Sequence, residues 1–504
     1  MSAAGEADNG KAPDGTAADP LDAPDAGARV VRGGATRAIG FVAAGLVALL
    51  PAPLLLRHLG VVSFGGYATV LSLIAIATVF SDAGLTVVGI REYAGRDWEG
   101  RRRLMSALVT LRLAASLLAS LVAVGFVVVA GYSAALVLGA VLAGLGLVLF
   151  LVQQSYTVPL AAELRYGAIA GLDFLRQALG AALIVVLVAL GASVTAFLAV
   201  SIPVGVAVGA ITLVVLRGHL TFWPRVDRSE LRHLARTALS VAGATILAAV
   251  FYRLALIIVS IVSTKSETGY FAVSQRIIEV LLPFISLVNS APFPVLARAA
   301  RESGQRLALG LQRVFDVNVV IAGWIALMLV LGARPVILFL GGSEFEDAVP
   351  VLRLHAFAIA ATFLSAAWGT ALIAVRAQRA LFWATGVGVM TAAPLTVVLA
   401  QAYGARGAAA AMVIAEAVRA GATGLALLRV RPSLRPRLGI VGKLLLAVGL
   451  AAPLGLTGVH PILACLAATV VYFGVLVATD GLPREIREAL AWAGRKLSLG
   501  RVSG

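Results

Sequence analysis

Residues 66–90 read GYATVLSLIAIATVFSDAGLTVVGI, and residues 91–103, which follow directly, read REYAGRDWEGRRR. The first stretch is as long and as apolar as a helix that crosses a bilayer, which needs roughly 20 mostly apolar residues. The second is a short loop with five arginines. Arginine gathers in loops on the cytoplasmic side of a membrane. The pair therefore indicates a spanning helix that ends in the cytoplasm.

Composition excludes a soluble protein. Apolar residues make up 60% of the 504 residues, charged residues 13%, and the mean hydropathy is +0.97. Ordinary globular proteins have about 45–50% apolar and 25% charged residues. The single cysteine, Cys465, lies in an apolar run, so neither a disulfide framework nor a thiolate metal site is expected.

Apolar runs of spanning length recur along the chain, which predicts an all-α integral membrane protein with about 14 transmembrane helices. The runs fall at about residues 38–56, 66–90, 105–130, 134–155, 168–191, 193–216, 238–262, 269–292, 315–333, 351–375, 380–401, 405–428, 439–457 and 460–479.

Arginine positions test this count. The loops after the even-numbered runs are arginine-rich, except for the loop after the fourth run, which holds only Arg165. The loops after the odd-numbered runs hold at most one arginine or lysine each. This alternation predicts an even helix number with both termini in the cytoplasm. The net charge of +16 is thus spread over short loops, which argues against a nucleic-acid partner.

The two ends read as cytoplasmic tails. Residues 1–37 are predicted to be disordered, as a spacer or a partner-binding segment, without a cleavable signal peptide. Residues 481–504 form an amphipathic tail, in which 483–497 either lies on the inner leaflet or is a solvated terminal helix.

A short motif occurs twice, in the same topological place. Phe64-Gly65-Gly66-Tyr67-Ala68-Thr69-Val70 and Glu267-Thr268-Gly269-Tyr270-Phe271-Ala272-Val273 each follow an outer loop and open a helix, six helices apart. Even spacing gives both copies one orientation, so the pseudo-twofold axis would run along the membrane normal. The predicted organisation is a six-helix bundle at 38–216, a basic cytoplasmic linker at 217–236, a second bundle at 237–430, and helices 13 and 14 at 431–480.

Charges at membrane depth are costly, so they pair, face a lumen, or do both. A spacing of three residues predicts pairs on one helix face. These pairs are Asp173 with Arg176, Arg276 with Glu279, Arg313 with Asp316, and Glu416 with Arg419.

Arg112, Arg253 and Arg353 have no acidic residue three or four positions away. Arg112 and Arg353 lie near helix ends and can snorkel to the interface, whereas Arg253 lies deeper. A lumen lined by such residues would favour an anion, and a guanidinium suits phosphate. The candidate cavity residues are Arg253, Arg112, Arg176, Arg276 and Arg353, and the coupling or gating candidates are Asp82, Glu279 and Glu416.

Signatures of an enzyme are absent from the sequence. It contains no Walker motif, and its five histidines are scattered. We therefore predict no enzymatic activity, no cofactor and no metal site, with H⁺ or Na⁺ as the candidate coupling ion.

Several stretches together resemble the polysaccharide exporters, the O-antigen-type flippases of the multidrug/oligosaccharidyl-lipid/polysaccharide superfamily. The resemblance covers roughly residues 38–430 and is carried by Arg57-His58-Leu59-Gly60, Phe64-Gly65-Gly66-Tyr67, Ser81-Asp82-Ala83-Gly84-Leu85, Arg91-Glu92, Tyr252-Arg253, Gly269-Tyr270, Pro294-Val295-Leu296, Gly341 to Phe345, Val351-Leu352, Tyr403-Gly404-Ala405-Arg406-Gly407-Ala408 and Glu416.

The resemblance implies that the protein flips an undecaprenyl-pyrophosphate-linked oligosaccharide across the bacterial cytoplasmic membrane by alternating access. It also implies a V-shaped pair of six-helix bundles around a cationic cavity, with polysaccharide polymerase and glycosyltransferases as functional partners. The family often has an aspartate just before the basic residue of the seventh helix, where this chain has Tyr252. Arg253 is then either freer to meet a phosphate, or the coupling-ion arrangement differs.

Two other transport functions stay open from the sequence, besides a membrane scaffold without transport, which would tolerate removal of Arg253 and Arg276. A MATE-type multidrug or cation antiporter would need an unpaired buried carboxylate, for which Asp82 is the main candidate. A flippase of the peptidoglycan precursor lipid II would also have fourteen helices.

Overall fold

The computed structural model describes residues 47, 50–216, 227–456 and 459–488, and all regular elements in them are helical. The predicted tail 1–37, most of the first apolar run and residues 489–504 lie outside the described residues.

The helices fall into two bundles and a terminal pair. The first bundle contains α1 (Ala52–Asp82), α2 (Leu85–Ala94), α3 (Trp98–Val129), α4 (Ala134–Ser155), α5 (Thr157–Ala162), α6 (Tyr166–Ala189), α7 (Val194–Ala199) and α8 (Ser201–Val215). The second contains α9 (Arg228–Val262), α10 (Lys265–Ser290), α11 (Phe293–Glu302), α12 (Gly304–Gly341), α13 (Ala348–Ala374) and α14 (Gln378–Val430). The terminal pair is α15 (Gly439–Ala451) and α16 (Pro461–Ala478).

The helix count agrees with the sequence once fused helices are separated. Eleven described helices are long and apolar enough to span a membrane, and Gly439–Gly455 is a shorter apolar helix. Helix α14 contains two of the predicted runs, joined at a kink. The described residues thus account for the predicted runs from the second to the fourteenth, and most of the first run lies outside them.

Two glycines mark kinks inside long helices. Gly60 has φ 67° within α1, and Gly404 has φ 58° within α14. Both values lie in the left-handed region, which side chains other than that of glycine rarely adopt. The kink at Gly404 joins two consecutive predicted spans directly, which is why they form one long helix.

The ends of the helices define two faces of the molecule. The basic face carries the connections at residues 95–97, 163–165, 303 and 431–438, and the opposite face carries those at 130–133, 190–193, 263–264 and 342–347. On the basic face, the Asp97 carboxylate accepts a hydrogen bond from the Gly100 amide and caps α3.

The two bundles touch at the opposite face, through the repeated motif. Gly65 of the first copy packs directly on Gly269 of the second, and a Cβ on Gly65 would stand 2.9 Å from the Gly269 nitrogen. A Cβ on Gly269 would stand 2.2 Å from the Val61 carbonyl oxygen. Beside this crossing, the rings of Phe64 and Phe345 meet edge to face at 6.1 Å. We call this contact the opposite-face seal.

The bundles also touch at the basic face. Leu234 and Ala238, in the first turns of α9, are buried against Leu104 and Leu108 of the first bundle. Part of the predicted linker 217–236 is therefore helical and packs against the first bundle. The chain is thus held together at both faces, with the cavity described below between them.

Candidate functional site

A cavity of about 90 Å³ lies between the bundles. The first bundle contributes uncharged side chains from α1 and α6, and the second contributes all the charged ones from α9 and α10. The side chains that shape it include Leu55, Phe64, Tyr67, Leu71, Ser72 and Ile184 on one wall and Arg253, Leu256, Gln275, Arg276 and Glu279 on the other.

Two arginines share one carboxylate on the charged wall. Arg253 Nη1 is 2.5 Å from Glu279 Oε1, and Arg276 Nη1 is 3.4 Å from Glu279 Oε2. The side chains of Arg253 and Arg276 remain 27% and 45% exposed. The cluster therefore has a net charge of one positive unit and guanidinium groups that face the cavity.

Local structure places these three groups together. Arg276 and Glu279 lie on one face of α10 because they are three residues apart. Arg253 comes from α9, the preceding antiparallel helix. Pro283 in α10 has no amide hydrogen to donate to the carbonyl of Glu279, so the helical ladder is interrupted at the charged cluster.

A second, smaller pocket of about 30 Å³ lies inside the second bundle. Gln275 and Glu279 line both this pocket and the central cavity, and His355 and Glu416 complete its polar wall. The Gln275 amide nitrogen donates to the Tyr252 carbonyl oxygen at 2.6 Å, but its Oε1 atom has no hydrogen-bond partner among the described residues.

Glu416, a coupling candidate, is buried and bound by Arg419. Arg419 donates to Glu416 Oε2 from Nη2 at 2.6 Å and from Nε at 3.0 Å. The same Nη2 donates to the Tyr252 hydroxyl at 3.3 Å. The tyrosine that stands in place of the family's aspartate thus contacts the Glu416–Arg419 pair.

Arg112 and Asp82 bind each other in the interior of the first bundle. Arg112 is fully buried, and its Nη2 lies 2.5 Å from Asp82 Oδ1 and 2.5 Å from Thr86 Oγ1. Its Nη1 donates to Ser155 Oγ at 3.2 Å. Neither residue lines the central cavity, so the geometry favours a structural pair.

The remaining arginine candidates also lie away from the central cavity. Arg176 donates to Gln153, lies 3.5 Å from Asp173, and stacks over Phe150 with its Cζ 4.4 Å from the ring centroid. Arg353 is exposed in the second turn of α13. Of the five predicted cavity arginines, the structure brings Arg253 and Arg276 to the cavity.

Sequence spacing identified some ion pairs and missed others. Three of the four predicted same-helix pairs form, but the pairing of Arg313 with Asp316 is wrong. Asp316 accepts a hydrogen bond from Gln312, and Arg313 lies 3.8 Å from Glu485. The pairs Arg253–Glu279 and Arg112–Asp82 join different helices, so no periodicity within one helix could reveal them.

Comparison with known proteins identifies the family. The sequence profile of a family described as "Polysaccharide biosynthesis protein" matches residues 54–350, more than half of the chain. The chain belongs to this family. No protein with curated annotation matches it in sequence. The resemblance found in the sequence is thereby confirmed.

Solved structures show the fold of this family member. It is similar to one described as lipid II flippase MurJ in an inward closed conformation, with a TM-score of 0.71 and 12% identity over 87% of this chain and 97% of that one. An inward-facing MATE multidrug transporter gives a TM-score of 0.60 and 16% identity over 77% of this chain and 95% of that one. A superfamily transporter from Pyrococcus furiosus is described as having a binding pocket of reverse polarity. It gives a TM-score of 0.54 and 15% identity over 81% of this chain and 96% of that one.

These likenesses confirm the predicted fold class. The chain is an all-α, multi-pass membrane protein with the fold of the multidrug/oligosaccharidyl-lipid/polysaccharide superfamily transporters. Among the described residues, no group of three or more His, Cys, Asp or Glu side chains is arranged to hold a metal ion.

Proposed function

We propose that this protein flips a lipid-linked oligosaccharide, carried on undecaprenyl pyrophosphate, across the bacterial cytoplasmic membrane for cell-surface polysaccharide synthesis. The observation that carries the proposal is the charged cluster of Arg253, Arg276 and Glu279, at the boundary between two bundles of a polysaccharide-family transporter. The chemistry is translocation by alternating access, without an enzymatic reaction or a resident cofactor.

The charge balance of the cluster suits a diphosphate. Arg253 and Arg276 share the one carboxylate of Glu279, which leaves one positive charge without compensation. A diphosphate carries more negative charge than one carboxylate and accepts the bidentate hydrogen bonds of two guanidinium groups. It can therefore replace Glu279 as the partner of both arginines.

The size of the cavity defines what must move. A volume of about 90 Å³ is far below the roughly 300–1,000 Å³ of pockets that enclose small-molecule ligands. Cargo entry therefore requires the bundles to separate at one face while the other face stays closed. The glycan would occupy the widened cavity, and the lipid tail would remain between helices in the bilayer.

The arginine-rich loops orient the cycle. By the positive-inside rule the basic face is cytoplasmic, and so are both termini. Cargo made by cytoplasmic glycosyltransferases would enter there and would leave at the opposite face, where a polymerase can consume it. Glu279 lines both pockets, so H⁺ or Na⁺ bound in the second bundle would act on the arginines through this residue.

A drug or cation antiporter is less well supported. Such a carrier needs a buried carboxylate without a cationic partner. Among the described residues, each of the three coupling candidates is paired: Asp82 with Arg112, Glu279 with Arg253, and Glu416 with Arg419. Lipid II carries the same diphosphate, so the family match and not the geometry favours polysaccharide precursors.

The test is a leaflet-protection assay in reconstituted vesicles. An undecaprenyl-diphosphate oligosaccharide is placed in one leaflet, and its exposure to an impermeant glycan-modifying enzyme is followed with time, in parallel with lipid II. We expect transport of the oligosaccharide, a fall of about tenfold or more in rate for Arg253→Ala and for Arg276→Ala, and partial retention for Arg253→Lys.

The matched control is Arg298→Ala. Arg298 also pairs with a glutamate on its own helix, at 2.6 Å from Glu302, but it is 80% exposed at the basic face. Its removal should leave the rate unchanged. Wild-type movement no faster than in empty vesicles, or full activity of the Arg253→Ala, Arg276→Ala double variant, would reject the proposal.

A further inference from the structure

A groove of about 580 Å³ opens on the opposite face of the second bundle, away from the central cavity. It lies where the start of α10, the start of α13 and the kink of α14 come together. Its lining is Glu267, Tyr270, Asp347, Leu399, Tyr403, Arg406, Gly407 and Ala410.

The groove combines aromatic faces with hydrogen-bonding groups of both kinds. Tyr403 is 70% exposed, and Tyr270 lines the groove beside it. Asp347 and Glu267 supply acceptors, and Arg406, which is exposed, supplies a planar set of donors. A large exposed tyrosine beside fixed polar groups is a feature of binding surfaces.

The polar groups are held in place by the chain itself. Glu267 Oε2 accepts from the Ala405 amide at 2.6 Å, at the start of the second half of α14. A Cβ on Gly404 would stand 2.5 Å from the Glu267 carboxyl group, so glycine is needed here for space as well as for its φ of 58°. Tyr270 and Asp347 both line the groove, close enough for the carboxylate to interact with the phenol.

The same segments form the opposite-face seal. Gly269, which packs on Val61, lies between Glu267 and Tyr270 of the groove. Phe345, which packs on Phe64, lies two residues before Asp347. A ligand in the groove therefore contacts both elements whose separation from the first bundle would open this face.

We propose that this groove binds an uncharged segment of the cargo glycan on the outer side of the membrane. Sugar rings present apolar C–H faces that stack on tyrosine and a rim of hydroxyls that pair with carboxylate and guanidinium groups. The inference rests on the proposed function and deepens it, because it assigns a place to the glycan after its diphosphate has left the arginines.

The charge of the groove selects among glycans. Two carboxylates face one guanidinium, so the local charge is negative. A polyanionic glycan or a free phosphate is disfavoured there by repulsion, in contrast to the cationic central cavity. The two sites thus recognise different parts of one amphipathic molecule.

The test is binding of free saccharides to the purified full-length protein in nanodiscs, measured by saturation-transfer NMR. The probes are a neutral N-acetylhexosamine disaccharide and a disaccharide of similar size that contains a hexuronic acid. We expect the neutral probe to bind more tightly. Tyr403→Ala should weaken it about tenfold or more, Tyr403→Phe should stay within about threefold of wild type, and Asp347→Asn should weaken binding.

The matched control is Phe339→Ala, an aromatic side chain that is 67% exposed in the last turn of α12 on the same face but outside the groove. It should bind like wild type. Equal binding by Tyr403→Ala and wild type, tighter binding of the uronate, or no binding of the neutral probe would overturn the proposal. Lipid transport without saccharide binding rejects only the groove. Saccharide binding without lipid transport rejects the flippase and, with it, the assignment of the bound glycan as cargo, and leaves the groove as a saccharide site.

Discussion

At the scale of single residues, the membrane-depth arginines divide into two kinds. Arg253 and Arg276 keep part of their surface open to the cavity and share the Glu279 carboxylate. Arg112 is fully buried and is paired with a different carboxylate, that of Asp82. A buried ion pair contributes little net stability but is strongly destabilising when one partner is removed. The two kinds should therefore respond differently to mutation.

The first prediction concerns Arg112. Arg112→Met leaves Asp82, whose side chain is 27% exposed, without its cation, so we expect a loss of up to about 3 kcal/mol in unfolding free energy. Thermal unfolding of the purified protein measures it. The double variant Arg112→Met, Asp82→Leu should regain part of the stability and retain transport. A stable single variant that has lost only transport would instead assign Arg112 to the cargo.

At the scale of helices, the repeated Gly-Tyr motif has a role that its sequence did not reveal. The two copies meet at the opposite-face seal. This is the arrangement expected if the predicted pseudo-twofold axis runs between them. Only glycine leaves room for this close approach. The seal is therefore sensitive to a single added methyl group.

The second prediction is that Gly269→Ala opens the opposite face. Its Cβ would collide with the Val61 carbonyl, a backbone atom that cannot rotate away. Spin labels at Ala192 and Ser343, in a Cys465→Ala background, should report a longer distance by double electron–electron resonance. Gly421→Ala, where a Cβ meets no atom within 4 Å, is the control. An unchanged distance distribution in Gly269→Ala would contradict this role.

The third prediction concerns the contact at the basic face. Arg96 lies 2.6 Å from Glu230 on α9 and 3.0 Å from Glu92, and so joins the bundles. Glu230→Arg replaces attraction by repulsion and should speed hydrogen exchange of residues 228–238. The charge swap Glu230→Arg, Arg96→Glu should restore slow exchange. The effect should be modest, about 1 kcal/mol or less, because the pair is partly solvated. Failure of the swap to restore protection would exclude an electrostatic contact.

At the scale of the whole molecule, the alternation of arginines predicts which face is cytoplasmic. The fourth prediction is tested in a Cys465→Ala background, which carries no other cysteine. Ser193→Cys, at the opposite face, should react with an impermeant maleimide added to intact cells. Ser303→Cys, at the basic face, should react only after the membrane is opened. The reverse pattern would invert the proposed direction of transport.

The sequence by itself determined that the protein lies in a lipid bilayer, how many helices it has, and that arginine-rich and arginine-poor loops alternate. These depend on quantities that are read along one dimension, the length of each apolar run and the charge of the loop that follows it. Pairs within one helix were also accessible, as for Glu416 and Arg419, because the helical period fixes which residues share a face.

Only the tertiary structure decided which arginines meet the cavity. The rotation and offset of neighbouring helices set the partnership of Arg253 with Glu279, the enclosure of Arg112 with Asp82 and the crossing of Gly65 over Gly269. These depend on packing between distant segments, which no spacing along the chain encodes. The groove at Tyr403 is of the same kind, because its lining comes from two helices and the turn before a third, which meet only in the folded protein.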